Sequence, residues 1–271
     1  NTNDGSQRPP RLRVDLNLGT LGTLPASSTA PRGEPAAIYA ALKAAGFEGL
    51  QGGDPKICRE LGLGVTGGGR VNKVGEAEPL AQRLRDAGYE CATLHVGSGF
   101  ESDREMMLVV RDIVAASEKV NFPLYVETHR ATITQDIYRT VRFIHNCPGV
   151  RLNGDFSHWY TGLEMVYGNW EQKLAFMAPA FERVRFIHGR IGNPGSMQVD
   201  IGDGSETGRP FVGHFKELWT RSFMGFLRSA KPGDYLCFAP ELLHSANFYA
   251  RLFPGPDGTP ITEVGHAMDE A

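Results

Sequence analysis

Short apolar runs rich in β-branched and aromatic residues alternate along the chain with longer amphipathic stretches. This alternation predicts strand–helix units around a parallel sheet, because strands covered on both faces are apolar along most of their length. We predict eight strands, of which the second and third have the weakest patterns: residues 11–18, 47–52, 63–66, 90–96, 123–128, 150–155, 184–190 and 235–241.

Amphipathic stretches between these runs predict six helices. They cover residues 34–45, 76–87, 103–120, 134–146, 170–177 and 215–230. Gly46 and Gly88 directly follow the first two stretches. Glycine there supplies the left-handed conformation that ends many helices, so these two boundaries are the clearest.

The strand–helix units succeed one another without a Pro-rich or Ser-rich linker. Most strands begin about 30 residues after the one before, the length of a single βα unit. The pattern therefore favours an α/β protein with a single (β/α)8 TIM barrel over residues 11–245, and an open doubly wound sheet is the alternative. Polar residues 1–10 predict a flexible N-terminal tail, and residues 246–271 an irregular C-terminal extension that packs on a neighbouring subunit if the chain forms a homo-oligomer.

Two segments are rich in glycine. Residues 189–211 are polar and lack helical periodicity, and in a barrel they would follow a strand at the end where active sites form. We expect them to cover the site. The run Gly67 to Arg70 lacks the Lys-Ser/Thr pair of a phosphate-binding P-loop, so we interpret it as a mobile turn.

The balance of charged residues limits the kinds of partner that the protein can bind. With 28 Lys and Arg against 31 Asp and Glu, the net charge is -3, which gives no positive field to hold a nucleic acid. No apolar run approaches the roughly 18 residues that cross a bilayer, so we expect no membrane association. Four cysteines far apart, without a Cys-x-x-Cys pair, favour reduced thiols and a cytoplasmic protein, although a leader upstream of Asn1 stays open.

The fifth to eighth predicted strands each end in a side chain able to bind a metal. They are Glu127, Asp155, His188 and Glu241. Because the carboxyl ends of barrel strands meet at one mouth, we expect these side chains to converge. Three carboxylates and one imidazole suit one divalent ion, with Mn2+ first and Mg2+, Co2+ or Zn2+ as alternatives.

The order of these four residues, with Asp155 and His158 forming an Asp-x-x-His motif, resembles the xylose isomerase-like TIM barrel family. Within that family the resemblance is to the branch of ketose 3-epimerases, hydroxypyruvate isomerases and inosose dehydratases, and it extends over residues 11–245. It implies that the four residues hold one divalent metal, that Glu127 and Glu241 also form the acid/base pair, and that His158 binds a substrate oxygen.

Further side chains are candidates for contact with the substrate. Arg190 resembles a basic residue that these enzymes place near the substrate, although theirs commonly lies further along the loop. His95 ends the fourth strand run, and His129 shares a strand face with Glu127. Trp159 follows the Asp-x-x-His motif, where its ring would either form an aromatic wall against a sugar or pack within the loop.

A carboxylate next to a metal can remove the proton beside a metal-chelated carbonyl, because the metal stabilises the resulting enediolate. Return of the proton to the opposite face or to the neighbouring carbon gives an epimer or an isomer. The sequence thus predicts a metal-dependent sugar isomerase or epimerase for a small polyhydroxylated carbonyl compound. A lyase with the same first step, a keto-inositol dehydratase or a β-eliminase for keto-glycosides, is the alternative.

Two other functional classes are weaker. A phosphodiesterase similar to endonuclease IV would share most of these residues, but its Asp-x-His pair after strand seven is missing, and the nearest segment is Asp200-Ile201-Gly202. A non-catalytic sugar-binding or scaffolding subunit would not need the complete set of ligands that is present here.

Overall fold

The computed structural model describes residues 1–22, 24, 28–202, 204, 208–254, 258 and 260–262. A short strand β1 (Thr2–Asn3) is followed by eight parallel strands: β2 (Arg11–Asn17), β3 (Gly49–Gln51), β4 (Gly64–Val71), β5 (Ala92–Val96), β6 (Leu124–Glu127), β7 (Leu152–Gly154), β8 (Val184–Gly189) and β9 (Asp234–Pro240). Strand β9 pairs with both β2 and β8, which closes the sheet into a barrel. The predicted single (β/α)8 TIM barrel is confirmed, and the open sheet is excluded.

Eight helices surround the barrel in the described part of the chain: α1 (Pro35–Ala44), α2 (Pro55–Leu61), α3 (Ala77–Ala87), α4 (Asp103–Val120), α5 (Ile137–Asn146), α6 (Phe156–Gly162), α7 (Trp170–Phe181) and α8 (Pro210–Leu227). Helix α4 has the predicted bounds because a capping box of Ser102 and Glu105 fixes its start. Helices α2 and α6 were not predicted, since seven residues are too few for a clear helical period. None of the described helices has the length and apolar character needed to cross a membrane.

The lower half of the barrel interior is filled. Cys91, Tyr125, Phe186, Tyr235 and Cys237 form one buried cluster. Beside it the buried guanidinium of Arg13 pairs with the buried carboxylate of Asp15 at 2.7 Å and lies over the Tyr235 ring at 4.4 Å. This packing leaves the carboxyl-terminal mouth as the place where ligand-binding side chains gather.

The glycine run Gly67 to Gly69 lies inside β4, so the prediction of a mobile turn was wrong. A Cβ atom at Gly69 would lie 2.8 Å from Leu80 Cδ2, and one at Gly67 would lie 3.3 Å from Leu84 Cδ2. Both leucines belong to α3. Glycine at these positions therefore lets α3 approach the strand closely, which is a packing requirement and not a need for flexibility.

Residues near each end of the described chain form short strands that the sequence pattern did not predict. Residues 1–10 were predicted to be a flexible tail, but Thr2 and Asn3 pair antiparallel with Tyr235 and Asp234, and Thr2 is buried. In the C-terminal extension, Leu252–Pro254 pairs antiparallel with Pro260–Thr262. Much of the extension beyond residue 254 lies outside the described residues.

Helices α7 and α8 touch at Gly225, and this contact gives a test of the packing. A Cβ atom at Gly225 would overlap the carbonyl oxygen of Phe181 and lie 2.8 Å from its carbonyl carbon. Gly-to-Ala within a helix ordinarily stabilises by about 0.5–1 kcal/mol. We expect Gly225→Ala instead to lower the free energy of unfolding by about 1–3 kcal/mol, because the backbone of α7 must move.

Urea unfolding monitored by circular dichroism measures this effect. Gly162→Ala is the matched control, because a Cβ atom at Gly162 meets no atom within 4 Å. Equal unfolding free energies for the two variants would contradict the close approach of α7 and α8.

Candidate metal centre

The structure brings together the four side chains that end the last barrel strands. Glu127 is the last residue of β6, Asp155 follows β7, His188 lies near the end of β8, and Glu241 follows β9. One ligand atom of each lies within 4.8 Å of those of the others, and all four residues are buried. The shared edge of parallel strands is what places four distant residues at one point.

The imidazole of His188 has a fixed orientation. Its Nε2 lies 2.8 Å from Gln51 Oε1, whereas its Nδ1 faces Glu127, Asp155 and Glu241 at 3.4–3.8 Å. Gln51 Nε2 donates to Thr93 Oγ1, so Gln51 Oε1 is the acceptor and His188 Nε2 carries the hydrogen. An outer hydrogen bond of this kind is typical of metal-binding histidines, because it directs the other nitrogen at the metal.

Two amides hold the outer carboxylates. Asn17 Nδ2 donates to Glu241 Oε1 at 2.7 Å, and Asn153 Nδ2 donates to Glu127 Oε2 at 3.1 Å. Sequence reasoning missed both, together with Gln51, because neutral amides produce no charge pattern. The signal available was position: Asn17 and Gln51 are the last residues of β2 and β3, and Asn153 lies within β7 next to its carboxyl end.

Arg190 lies among the carboxylates. Its guanidinium donates to Asp155 Oδ2 through Nη2, and its Nη1 lies 3.2 Å from Glu241 Oε2. It also donates to Ser157 Oγ at 3.1 Å and to His158 Nε2 at 3.0 Å. The fixed planar fork of arginine lets one side chain serve all four groups.

Charge in the cluster shifts its proton affinities. Burial by itself would raise the pKa of Glu127 and of Asp155, but the positive partners His188 and Arg190 respectively hold each pKa well below its usual value. Burial would lower the pKa of His188, yet the charges of Glu241 and Glu127 raise it well above the usual value. The three carboxylates therefore favour a positive charge at the centre of the cluster.

The donor set fits one divalent cation. With His188 neutral and acting through Nδ1, a dication together with Arg190 would balance the three carboxylates. The oxygen and nitrogen donors are those that Mn2+, Mg2+, Co2+ and Zn2+ accept. Asn153 Oδ1 is buried beside the cluster and has no hydrogen-bond partner among the residues that the structure describes, so a further oxygen is available there.

A second set of possible ligands shares Glu127. His95, Glu127 and His129 also offer ligand atoms within 4.8 Å of one another. His95 Nε2 lies 3.2 Å from Glu127 Oε1, and this bond and charge raise the pKa of His95 although burial opposes the rise. Burial and the charge of His158 lower the pKa of His129 to about 3, so that imidazole is neutral.

The remaining candidates lie in different places. His158 is buried and close to Arg190, and its Nδ1 has no hydrogen-bond partner within the described chain. Trp159 is fully buried, and its indole donates to the Thr134 carbonyl at 2.6 Å. The expectation that Trp159 forms a wall against the substrate therefore fails, because its ring belongs to the core below the mouth.

Among known proteins, the chain matches solved structures only. No protein-family model and no curated protein matches the chain. A probable 3-DHS dehydratase, AsbF, involved in petrobactin synthesis in Bacillus anthracis, is 14% identical, with 88% of this chain and 95% of that chain covered and a TM-score of 0.52. The apo form of 3-keto-D-glucoside 4-epimerase, YcjR, from E. coli gives 14% identity, 88% and 96% coverage and a TM-score of 0.52.

A xylose isomerase-like TIM barrel protein from Mycobacterium smegmatis, solved in complex with magnesium, also matches, with 12% identity, 85% and 89% coverage and a TM-score of 0.45. At such identities the likeness to AsbF and YcjR concerns the fold. It shows a shared barrel fold and nothing finer.

Removal of the Arg190 charge tests the charge balance. Arg190→Met leaves buried carboxylates without their cation, so we expect the unfolding free energy of the metal-free protein to fall by about 3–5 kcal/mol. Saturating Mn2+ should recover a large part of this loss, because the dication compensates the same carboxylates. Urea unfolding with EDTA and with Mn2+ measures both effects.

The control is Arg228→Met, which removes a surface ion pair with Glu182. We expect a change of about 0–1 kcal/mol for it, with no dependence on metal. An Arg190→Met variant that behaves like this control would show that the cluster does not depend on the guanidinium.

Proposed function

We propose that the protein is a divalent-metal-dependent enzyme that removes a proton beside a carbonyl group, and that it is a sugar isomerase or epimerase. The convergence of Glu127, Asp155, His188 and Glu241 at the barrel mouth carries this proposal. A divalent cation held there would polarise the carbonyl and stabilise the negative charge that develops on its oxygen. We place Mn2+ first among the candidate ions.

Glu127 and Glu241 are suited to proton transfer. Each has one carboxylate oxygen tied to an amide, that of Asn153 or Asn17, and one oxygen directed at His188. The amides fix the orientation of the carboxylates while leaving an oxygen of each at the cluster. One glutamate can then take the proton, and the other can deliver a proton to the opposite face or to the adjacent carbon.

His158 and Arg190 are suited to binding substrate oxygens. Because Arg190 donates to His158 Nε2, the hydrogen of a neutral His158 lies on Nδ1, which has no acceptor among the described residues. A buried donor without a partner is costly, and a substrate hydroxyl or carbonyl oxygen would satisfy it. These contacts favour a small polyhydroxylated carbonyl compound as substrate.

A dehydratase or β-eliminase is the second candidate. Its reaction begins with the same proton removal and then needs an acid for the departing group. His95 can supply that proton, because its side chain is 37% exposed at the mouth and its pKa is raised through Glu127. The two candidates differ only after the first step.

Replacement of the glutamates tests their role in proton transfer. Gln keeps an oxygen for a cation but cannot accept a proton, so we expect Glu127→Gln and Glu241→Gln each to lower kcat by at least about 100-fold with a smaller change in KM. Steady-state kinetics measure both parameters. Glu217→Gln on α8 is the control and should keep normal turnover, and normal turnover in both site variants would remove these residues from the chemistry.

Proton exchange with solvent tests the proposed function itself. The Mn2+-loaded protein is incubated in D2O with ketoses, keto-inositols and 3-keto-glycosides, and NMR follows the products. We expect deuterium at a carbon next to the carbonyl, with inversion or carbonyl migration for an isomerase or epimerase. Loss of water or of an aglycone would assign the lyase.

Protein treated with EDTA should give no exchange in the same assay. Exchange that continues after chelation would contradict the metal dependence. Cleavage of an abasic-site oligonucleotide without exchange into any sugar would contradict proton abstraction altogether.

A further inference from the structure

The segment that follows β9 returns across the mouth of the barrel. Gln198, in the loop after β8, binds it at three points. The Gln198 side chain accepts from Leu243 N at 2.9 Å and donates to Leu243 O at 2.7 Å, and the Gln198 backbone N donates to Tyr249 O at 3.1 Å. The described parts of this loop and this segment therefore form one joined cover.

Two guanidinium groups lie over the ring of Tyr249. The Arg190 Cζ lies 5.0 Å from the ring centroid, and the Arg130 Cζ lies 4.8 Å from it. The edge of the Arg190 guanidinium is already occupied by Asp155 and its neighbours, so its face is what the tyrosine ring covers. Two cations against one electron-rich ring give an attractive and directional contact.

The phenol of Tyr249 meets His129. Its oxygen lies 3.2 Å from His129 Nε2, and His129 Nδ1 contacts the backbone carbonyl of Arg130. A carbonyl only accepts, so Nδ1 carries the hydrogen and Nε2 accepts from the phenol. The His129 ring also lies between those of His95 and His158, with centroid distances of 4.2 and 3.7 Å.

We propose that Tyr249 is a positioning residue of the active site, which holds His129 in one tautomer through its hydroxyl and Arg190 in one plane through its ring. This inference rests on the proposed function for its kinetic consequences. The contacts reach Arg190, which pairs with the cluster carboxylates, and His129, which lies beside Glu127. The segment after β9 thus contributes a side chain that positions two residues of the site.

Two substitutions separate the roles of the hydroxyl and the ring. Tyr249→Phe removes only the hydroxyl, and Tyr249→Ala removes the ring as well. Phe248→Ala is the matched control, because Phe248 is the adjacent aromatic residue and is 74% exposed. All variants are made in the full chain, and their metal content is measured by mass spectrometry, which we expect to equal that of the wild type.

Nitrogen-15 NMR of the histidine side chains reads the tautomer without any substrate. With Mg2+ added, we expect Tyr249→Phe to shift the His129 Nε2 signal, which loses its donor, while Phe248→Ala leaves it unchanged. In the deuterium-exchange assay we expect Tyr249→Phe to lower kcat roughly 3- to 10-fold with KM within about twofold, the scale of one lost hydrogen bond. Tyr249→Ala should in addition raise KM, because Arg190 is no longer held.

An unchanged His129 signal in Tyr249→Phe would overturn the inference, whatever the enzyme proves to catalyse. Kinetic constants of both Tyr249 variants equal to those of Phe248→Ala would overturn it as well. If Tyr249→Ala does not fold, Tyr249→Phe still decides the role of the hydroxyl. Absence of exchange in the wild type, with the expected NMR shift present, would count against the proposed function and leave the placement of Tyr249 supported.

Discussion

Three carboxylates buried at one point are the constraint on which the upper half of this molecule depends. Like charges out of water repel one another and lose their hydration, so they persist only when positive groups and hydrogen-bond donors meet them. Arg190 spans two of them, His188 faces all three, and the amides of Asn17 and Asn153 hold the outer pair. A divalent cation at this point would complete the balance.

The barrel supplies the rigidity that such a balance needs. Its floor of aromatic rings and thiols is buried and filled, so the strands keep their spacing up to the mouth. His188 donates a hydrogen bond to Gln51 on β3, and Gln51 donates one to Thr93 on β5, so two strands of the wall fix the imidazole. Polar side chains on strands are held more exactly than those on loops, and this is why the cluster sits where strands end.

Strand positions and the four converging ligands could be predicted from the sequence, because buried strands are apolar and their ends are not. The run Gly67 to Gly69 was wrongly predicted to be a turn. Composition does not reveal whether a glycine allows a turn or the close approach of a helix. Trp159 was predicted to contact the substrate because its neighbours in sequence belong to the site. Its own ring is buried in the core. Gln51 and Tyr249 escaped prediction because only the folded chain brings them beside residues far away in sequence.

The pairing of β9 with β2 has a consequence for how the protein matures. Asn17 and Glu241, which share a hydrogen bond across that seam, are 224 residues apart. The barrel therefore cannot close until β9 has been added to the sheet. Contacts between residues so far apart in sequence form slowly. Until β9 is in place, a cation held at this cluster would lack the carboxylate of Glu241, so its tight binding would report that the barrel is complete.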